Sequence, residues 1–277
     1  MKLVTFRRSG AAAEAGVVLG DRIAPLGSSS MLDVIAQWDS IQSEAEAAKP
    51  EFDLASVQLL APIPRPNKLI CVGLNYRDHA IESNMEIPKV PTIFNKFATS
   101  VIGPGEKVIL PKRSEKPDYE AEFAFVIGKG GRYIAADDWE NHIFGYTIIN
   151  DVSARDYQMT TTQWLMGKTF DTFAPMGPWI VTKDEINDPH ALDVRMTING
   201  EVLQNSNTKE LIFRIPELIE YLSSVMTLEP GDIVSTGTPA GVGFGHKPPR
   251  WLKAGDECVV YVQGIGELKN PIVAEVA

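Results

Sequence analysis

"EAEFAFVIG", residues 120–128, is an apolar run of strand length that opens with two carboxylates. Side chains alternate along an extended chain, so Phe123, Phe125 and Ile127 share one face while Glu120, Glu122, Ala124 and Val126 share the other. Apolar residues on both faces predict a buried strand in a β-rich core. The two carboxylates then project together from backbone positions about 6.6 Å apart. Unpaired in a core, each is costly, and their repulsion drives one to protonate unless a cation neutralises them. Either the strand end emerges into water, or the pair holds a cation.

A chain of 277 residues with 44% hydrophobic content can bury a substantial core, as one large domain or a large one with a small appendage. Its formal charge of −10, from 26 basic and 36 acidic residues, has the wrong sign for nucleic acid or an anionic membrane surface. No apolar run approaches the roughly 20 residues that span a bilayer. "MKLVTFRRSG" lacks the apolar core of an export signal, and a cytoplasmic location is expected. Cys71 and Cys258 each sit in a strand-like run without a neighbouring basic or helix-start signal, which predicts buried, reduced, unreactive thiols.

Residues 1–60 read as a small N-terminal α/β unit, with strands at "KLVTF" and "GVVL" and a helix at "MLDVIAQW". The proline-dense "APIPRPNK", residues 61–68, is neither helix nor central strand and reads as a connector. Residues 69–277 form a β-rich body, with strand candidates "LICVGL", "TIFNKF", "KVILP", "EAEFAFVIG", "FGYTIIND", "PWIVT", "DVRMTINGEVLQ" and "ECVVYV". Asn199-Gly200 between alternating runs predicts a type I′ hairpin. Helices are expected at "NYRDHAIES", "DDWENHIFG" and "IPELIEYLSSVM", the last with Pro216 near its start and Leu218, Ile219, Leu222 and Val225 on one face. The expected fold class is α+β, β-dominated.

A third carboxylate, Asp151, ends the apolar run "YTIIND". Three oxygen donors without His or Cys suit a hard divalent ion, Mg²⁺ or Mn²⁺. In "GLNYRDHAIES", His79 and Glu82 are spaced i, i+3 on a short helix, where the carboxylate can orient the imidazole as a general base or merely pair with a surface histidine. His142, His190 and His246 read as non-catalytic. Gly167-Lys168-Thr169 lacks the earlier glycine of a phosphate loop, so Lys168 is a lone cation among apolar neighbours that must meet an anion. "STGTPAGVGFG", residues 235–245, offers backbone N–H groups to an anion, or is a tight turn.

The motifs "CVGLNYRDHAIE", "DYEAEFAFVIG", "INDVSARDYQ", "LMGKTFDTFAPMGP" and "DIVSTGTPAGVG", in that order over about residues 60–277, resemble the fumarylacetoacetate hydrolase family, most of all its small acylpyruvase-type members. The resemblance implies a mixed β-sandwich roll, a homodimer, and bound Mg²⁺ or Mn²⁺. By the same resemblance Glu120, Glu122 and Asp151 are metal ligands, His79 and Glu82 a catalytic dyad, and Lys168 and Gln158 groups beside the substrate's oxygens. Gly237 and Thr238 are substrate-binding residues.

The activity expected is cleavage of an acylpyruvate or related 2,4-diketo acid to pyruvate and a carboxylic acid. His79 removes a proton from water for attack on the C4 carbonyl, Lys168 and Gln158 stabilise the oxyanion, and C3 departs as a metal-stabilised pyruvate enolate. Decarboxylation of oxaloacetate, and isomerase or lyase chemistry on a 2-keto or 2-hydroxy acid, use the same groups. A metal-dependent binding module and a structural protein with a solvated Glu pair are the non-enzyme alternatives. A glycosidase is set aside, because carboxylates two residues apart on one strand cannot flank a sugar ring. Residues 83–92 and 158–166 are candidate lid segments that set the acyl specificity.

Overall fold

A computed structural model describes residues 1–28 and 30–276; residue 277, the end of the expected body, lies outside them. Strand Ala121–Ile127 is buried along its whole length, as its two apolar faces require. It lies within a sheet of twelve strands among the described residues, whose main path runs Phe52–Asp53, Arg22–Pro25, Ala13–Leu19, Lys2–Arg7, Ala174–Thr182, Ile143–Asn150, Ala121–Ile127, Ile233–Ser235, Leu69–Gly73, Thr92–Asn95. The pairing is antiparallel except where Ile233–Ser235 meets Leu69–Gly73 and Val101–Ile102 meets Ala174 and Pro175. A second sheet of five strands runs Glu201–Asn207, Asp193–Ile198, Glu257–Val262, Gly266–Ala274, Val108–Leu110. The α+β, β-dominated class and the mixed sandwich roll stand.

The core follows from side-chain alternation. Phe123, Phe125 and Ile127 point into a cluster shared with Val194, Met196 and Ile198 and with Cys258, Val260 and Val262 of the five-stranded sheet. Ala124 and Val126, on the opposite face, join Leu3, Ala15, Val17, Val34 and Ile35 of the N-terminal segment. Residues 1–60 thus extend the large sheet, Lys2 and Leu3 pairing with Val181 and Ile180, and share its core. The connector is irregular but packed: Ile63 is buried, and the Thr5 hydroxyl donates to the Pro62 carbonyl at 2.6 Å. Both cysteines are buried free thiols.

Local structure departs from the sequence reading in two places. "DDWENHIFG" is a 3₁₀ turn over Ala136–His142 that passes into strand Ile143–Asn150, because Ile143 and Phe144 carry the sheet pattern forward. Helix Ile215–Val225 buries Leu218, Ile219 and Leu222, but Val225 at its last turn is exposed. The Ala/Glu-rich stretch after the first helix is itself helical, over Trp38–Ala47. The hairpin forms as expected, with Asn199 and Gly200 both at positive φ (52° and 84°).

Deleting residues 1–60 uncovers Ala174, Met176 and Ile180, so the 61–277 fragment is expected to aggregate or to melt far below the full chain; equal melting temperatures would show two independent units. In the full chain Ile180→Ala is expected to cost about 2–5 kcal/mol in denaturant unfolding.

Candidate functional site

Glu120 directly precedes strand Ala121–Ile127 and Asp151 directly follows strand Ile143–Asn150. The register Ala121↔Asn150 sets these two residues side by side, the Asp151 N–H donating to the Glu120 carbonyl at 2.9 Å. Glu122 is one step along the same face. Carboxylate oxygens of Glu120, Glu122 and Asp151 converge within 4.8 Å of one another, and all three residues are buried.

Three buried cations surround them. Lys168 Nζ donates to Glu120 Oε2 at 2.7 Å and Asp151 Oδ2 at 2.8 Å. Lys96 Nζ donates to Asp151 Oδ1 at 2.5 Å and to the Val152 carbonyl at 3.0 Å. Arg155 Nε donates to Asp118 Oδ2 at 2.8 Å, while its Nη2 approaches Glu120 Oε1 at 2.7 Å as an ion pair rather than an aligned hydrogen bond. With Asp118 included, four acids face three bases, so full ionisation would leave one negative charge unmatched.

Proton affinities follow that count. Burial alone would raise Glu120, but the Lys168 and Arg155 charges overcome it and hold its carboxyl well below the usual range. Glu122 goes the other way: burial, then the Asp151 and Glu120 charges, push it well above the usual value. Burial would lower Lys168, but Asp151 and Glu120 outweigh it and keep the ammonium charged. Three buried oxygen donors fit a hard divalent ion such as Mg²⁺ or Mn²⁺.

The glycine-rich segment does offer its N–H groups to anions, but the anions are the protein's own carboxylates. Gly237 N–H donates to Glu122 Oε2 at 3.1 Å, and the Ser235 hydroxyl donates to the same oxygen. Gly241 N–H donates to Glu82 Oε1 at 2.9 Å. Gly243 and Phe244 N–H groups donate to Asp118 at 2.7 and 3.0 Å. Gly241 sits at φ +100° with room for no side chain, since a Cβ would lie 2.1 Å from the Leu203 carbonyl oxygen. At Gly245 the reason is close approach, a Cβ falling 2.7 Å from the Glu82 carboxyl carbon.

His79 lies on helix Arg77–Glu82, its Nδ1 3.1 Å from Glu82 Oε2. Donation from Nδ1–H to that carboxylate leaves Nε2 as the free acceptor. Burial would raise Glu82, but the His79 and Gly241 hydrogen bonds lower it, so it stays ionised. His79, Glu120, Glu122, Arg155, Gln158, Lys168 and Thr238 line one cavity of about 400 Å³. Its remaining wall is largely apolar. His142, His190 and His246 lie outside it.

Of the other expected residues, Gln158 is buried and its Oε1 accepts from Arg155 Nη1 at 2.9 Å. Thr238 touches the cavity, but its hydroxyl already donates to the Ala121 carbonyl at 3.0 Å and accepts from Gln204 Nε2 at 2.8 Å. Gly237 spends its N–H on Glu122. Of the two candidate lids, Met85, Ile87 and Val90 of the first and Met159 of the second are exposed. Sequence reasoning missed Lys96, Arg155, Asp118 and Ser235. The signal for Lys96 was there, a lysine between two phenylalanines in "FNKF".

The fold recurs among known proteins. The solved maleylpyruvate hydrolase of Sphingobium sp. SYK-6, in complex with manganese(II) and pyruvate, superposes with a TM-score of 0.84 at 32% identity, covering all of both chains. The family profile described as fumarylacetoacetate (FAA) hydrolase C-terminal matches residues 68–273. The chain belongs to the fumarylacetoacetate hydrolase family. It is 51% identical over 221 residues to a Xenopus laevis protein named oxaloacetate tautomerase fahd2, mitochondrial (79% of this chain, 69% of that one). It is 46% identical over 264 residues to the Bos taurus oxaloacetate tautomerase FAHD2A, mitochondrial (93% and 84%). The chain is therefore an enzyme of this superfamily.

The same relatives overturn the expected cytoplasmic location, since both are named mitochondrial. That expectation rested on the missing apolar core of an export signal, and organelle-targeting segments are amphipathic and have none.

Because burial and the Asp151 and Glu120 charges raise Glu122, and a divalent ion takes the ionised carboxylate, Mn²⁺ affinity is expected to fall as pH falls and to plateau once that carboxyl is ionised. Titration calorimetry in two buffers of different ionisation enthalpy should report proton release on binding. Glu122→Gln should abolish both the release and the pH dependence.

Proposed function

We propose that this chain interconverts the enol and keto forms of 2-keto acids, oxaloacetate first among them, by moving a proton at C3 beside a divalent ion. The observation that carries the reading is the buried acid cluster Glu120–Glu122–Asp151, whose Glu120 and Glu122 line one cavity with His79. The names of the frog and bovine relatives support oxaloacetate as substrate.

Glu120, Glu122 and Asp151 would hold Mg²⁺ or Mn²⁺, which when bound supplies Lewis acidity to a substrate oxygen and adds positive charge that favours an anionic substrate. His79 Nε2, its ring oriented by Glu82, exchanges the proton at C3. The proton of the enol's C2 hydroxyl passes to His79 Nε2, His79 delivers a proton to C3, and the keto acid results with no net change in protons. Lys168 and the Gln158 amide donate to the oxygen that carries the developing charge. Thr238 and Gly237 shape the floor of the substrate site through the contacts they make to Ala121 and Glu122. A homodimer is part of the proposal.

Hydrolysis of an acylpyruvate to pyruvate and a carboxylic acid is the second reading, favoured by the His79–Glu82 pair, because a base anchored by a carboxylate suits activation of water for attack at C4. Oxaloacetate, acetylpyruvate and a diketo sugar acid, each with Mg²⁺, Mn²⁺ or chelator, separate the two readings. Enol decay of oxaloacetate without pyruvate release supports tautomerisation, and pyruvate from acetylpyruvate supports hydrolysis. His79→Ala should slow whichever reaction occurs by about 10²–10⁴-fold in kcat. If chelator leaves every rate unchanged, the proposal fails.

A further inference from the structure

The apolar part of the cavity wall is built for something oxaloacetate lacks. It consists of Phe94, Trp164, Val242 and Phe244 with Met85 and Met159 at the rim. Met85, Met159 and Phe244 are 51%, 67% and 51% exposed, so a sizeable apolar surface meets solvent around the mouth. Trp164 lies against the backbone of Gly73, where a Cβ would stand 2.1 Å from its ring. It meets Phe94 edge to face, the ring centroids 5.7 Å apart at 68°. This aromatic corner adjoins the chemistry: Lys168 Nζ, bonded to Glu120 and Asp151, lies 5.0 Å from the Phe94 ring centroid.

The apolar wall itself offers no basic side chain to an anion. The basic side chains lining the cavity among the described residues are His79, Arg155 and Lys168. Arg155 and Lys168 are already engaged by acids, and His79 is turned to Glu82. A second carboxylate reaching the apolar wall would be desolvated without a partner. Volume points the same way, since about 400 Å³ leaves room well beyond a four-carbon diacid.

We infer that the site accepts 2-keto acids whose C4 bears an apolar, ring-sized group, with the ring seated on Trp164 and Phe94, and that Trp164 sets this preference. The inference rests on the reading of the site as a 2-keto acid site. It extends that reading from oxaloacetate to aroyl- and arylalkyl-substituted 2,4-diketo acids.

The test uses the metal-loaded full chain with oxaloacetate, acetylpyruvate and benzoylpyruvate. Benzoylpyruvate is expected to show a KM at least about 10-fold below that of acetylpyruvate, whether read as enol decay or as pyruvate release. It should also raise the melting temperature more than oxaloacetate at equal concentration. Trp164→Ala should shrink the KM ratio by about 10-fold, and Trp164→Phe should restore most of it. Gly73→Ala, which displaces the indole without removing it, should shrink the ratio as well. Turnover of oxaloacetate with benzoylpyruvate neither processed nor thermally stabilising would overturn the inference and leave the broader reading standing. No turnover of any of the three would sink the broader reading instead. A KM ratio unchanged in folded Trp164→Ala would remove the role assigned to Trp164.

Discussion

Burying Asp118, Glu120, Glu122 and Asp151 together with Lys96, Arg155 and Lys168 is the constraint around which this protein is organised. Buried charges survive only when paired and hydrogen-bonded, and each of these groups has a specific partner. The acids outnumber the bases by one, and the surplus settles on Glu122, whose carboxyl is driven toward its neutral form. A hard cation bound among these oxygens would relieve the repulsion that raises Glu122 and favour its carboxylate form.

The fold supplies the geometry by register. Antiparallel pairing of Ala121 with Asn150 places the residues just outside each strand, Glu120 and Asp151, next to one another. The two-stranded ladder of Pro117–Asp118 with Ser153–Ala154 holds the next acid beside Arg155. Parallel pairing of Ile233–Ser235 on Leu69–Gly73 then directs the glycine-rich segment across the ends of these strands, where its N–H groups are needed. The same central strand faces the five-stranded sheet with its phenylalanines and the N-terminal segment with Ala124 and Val126, so the chemistry is anchored to both halves of the core.

Much of this was legible in the sequence, for identifiable reasons. Alternation in "EAEFAFVIG" revealed a doubly buried strand, Asn199-Gly200 announced its own turn, and a lone lysine in an apolar setting had to find an anion. What stayed hidden were contacts made at long sequence separation. That Lys96 reaches Asp151, or that Arg155 lies between Asp118 and Glu120, depends on which strands become neighbours. The glycine-rich segment was readable as an anion cradle, yet its anions come from residues 82, 118 and 122, which no local pattern connects to it. The N-terminal segment looked separable because its own chemistry is thin, whereas its strand Lys2–Arg7 extends the sheet.

One consequence of the short backbone strip from Gly237 to Gly243 concerns how such a protein can change over evolutionary time. Three carboxylates with different partners hang on amides only a few residues apart. An insertion there would misalign all of them at once. The rim segments near Met85 and Met159 carry none of these attachments. Diversification is thereby channelled to the entrance, where length and side chains can drift, while the machinery beneath is held to a fixed spacing.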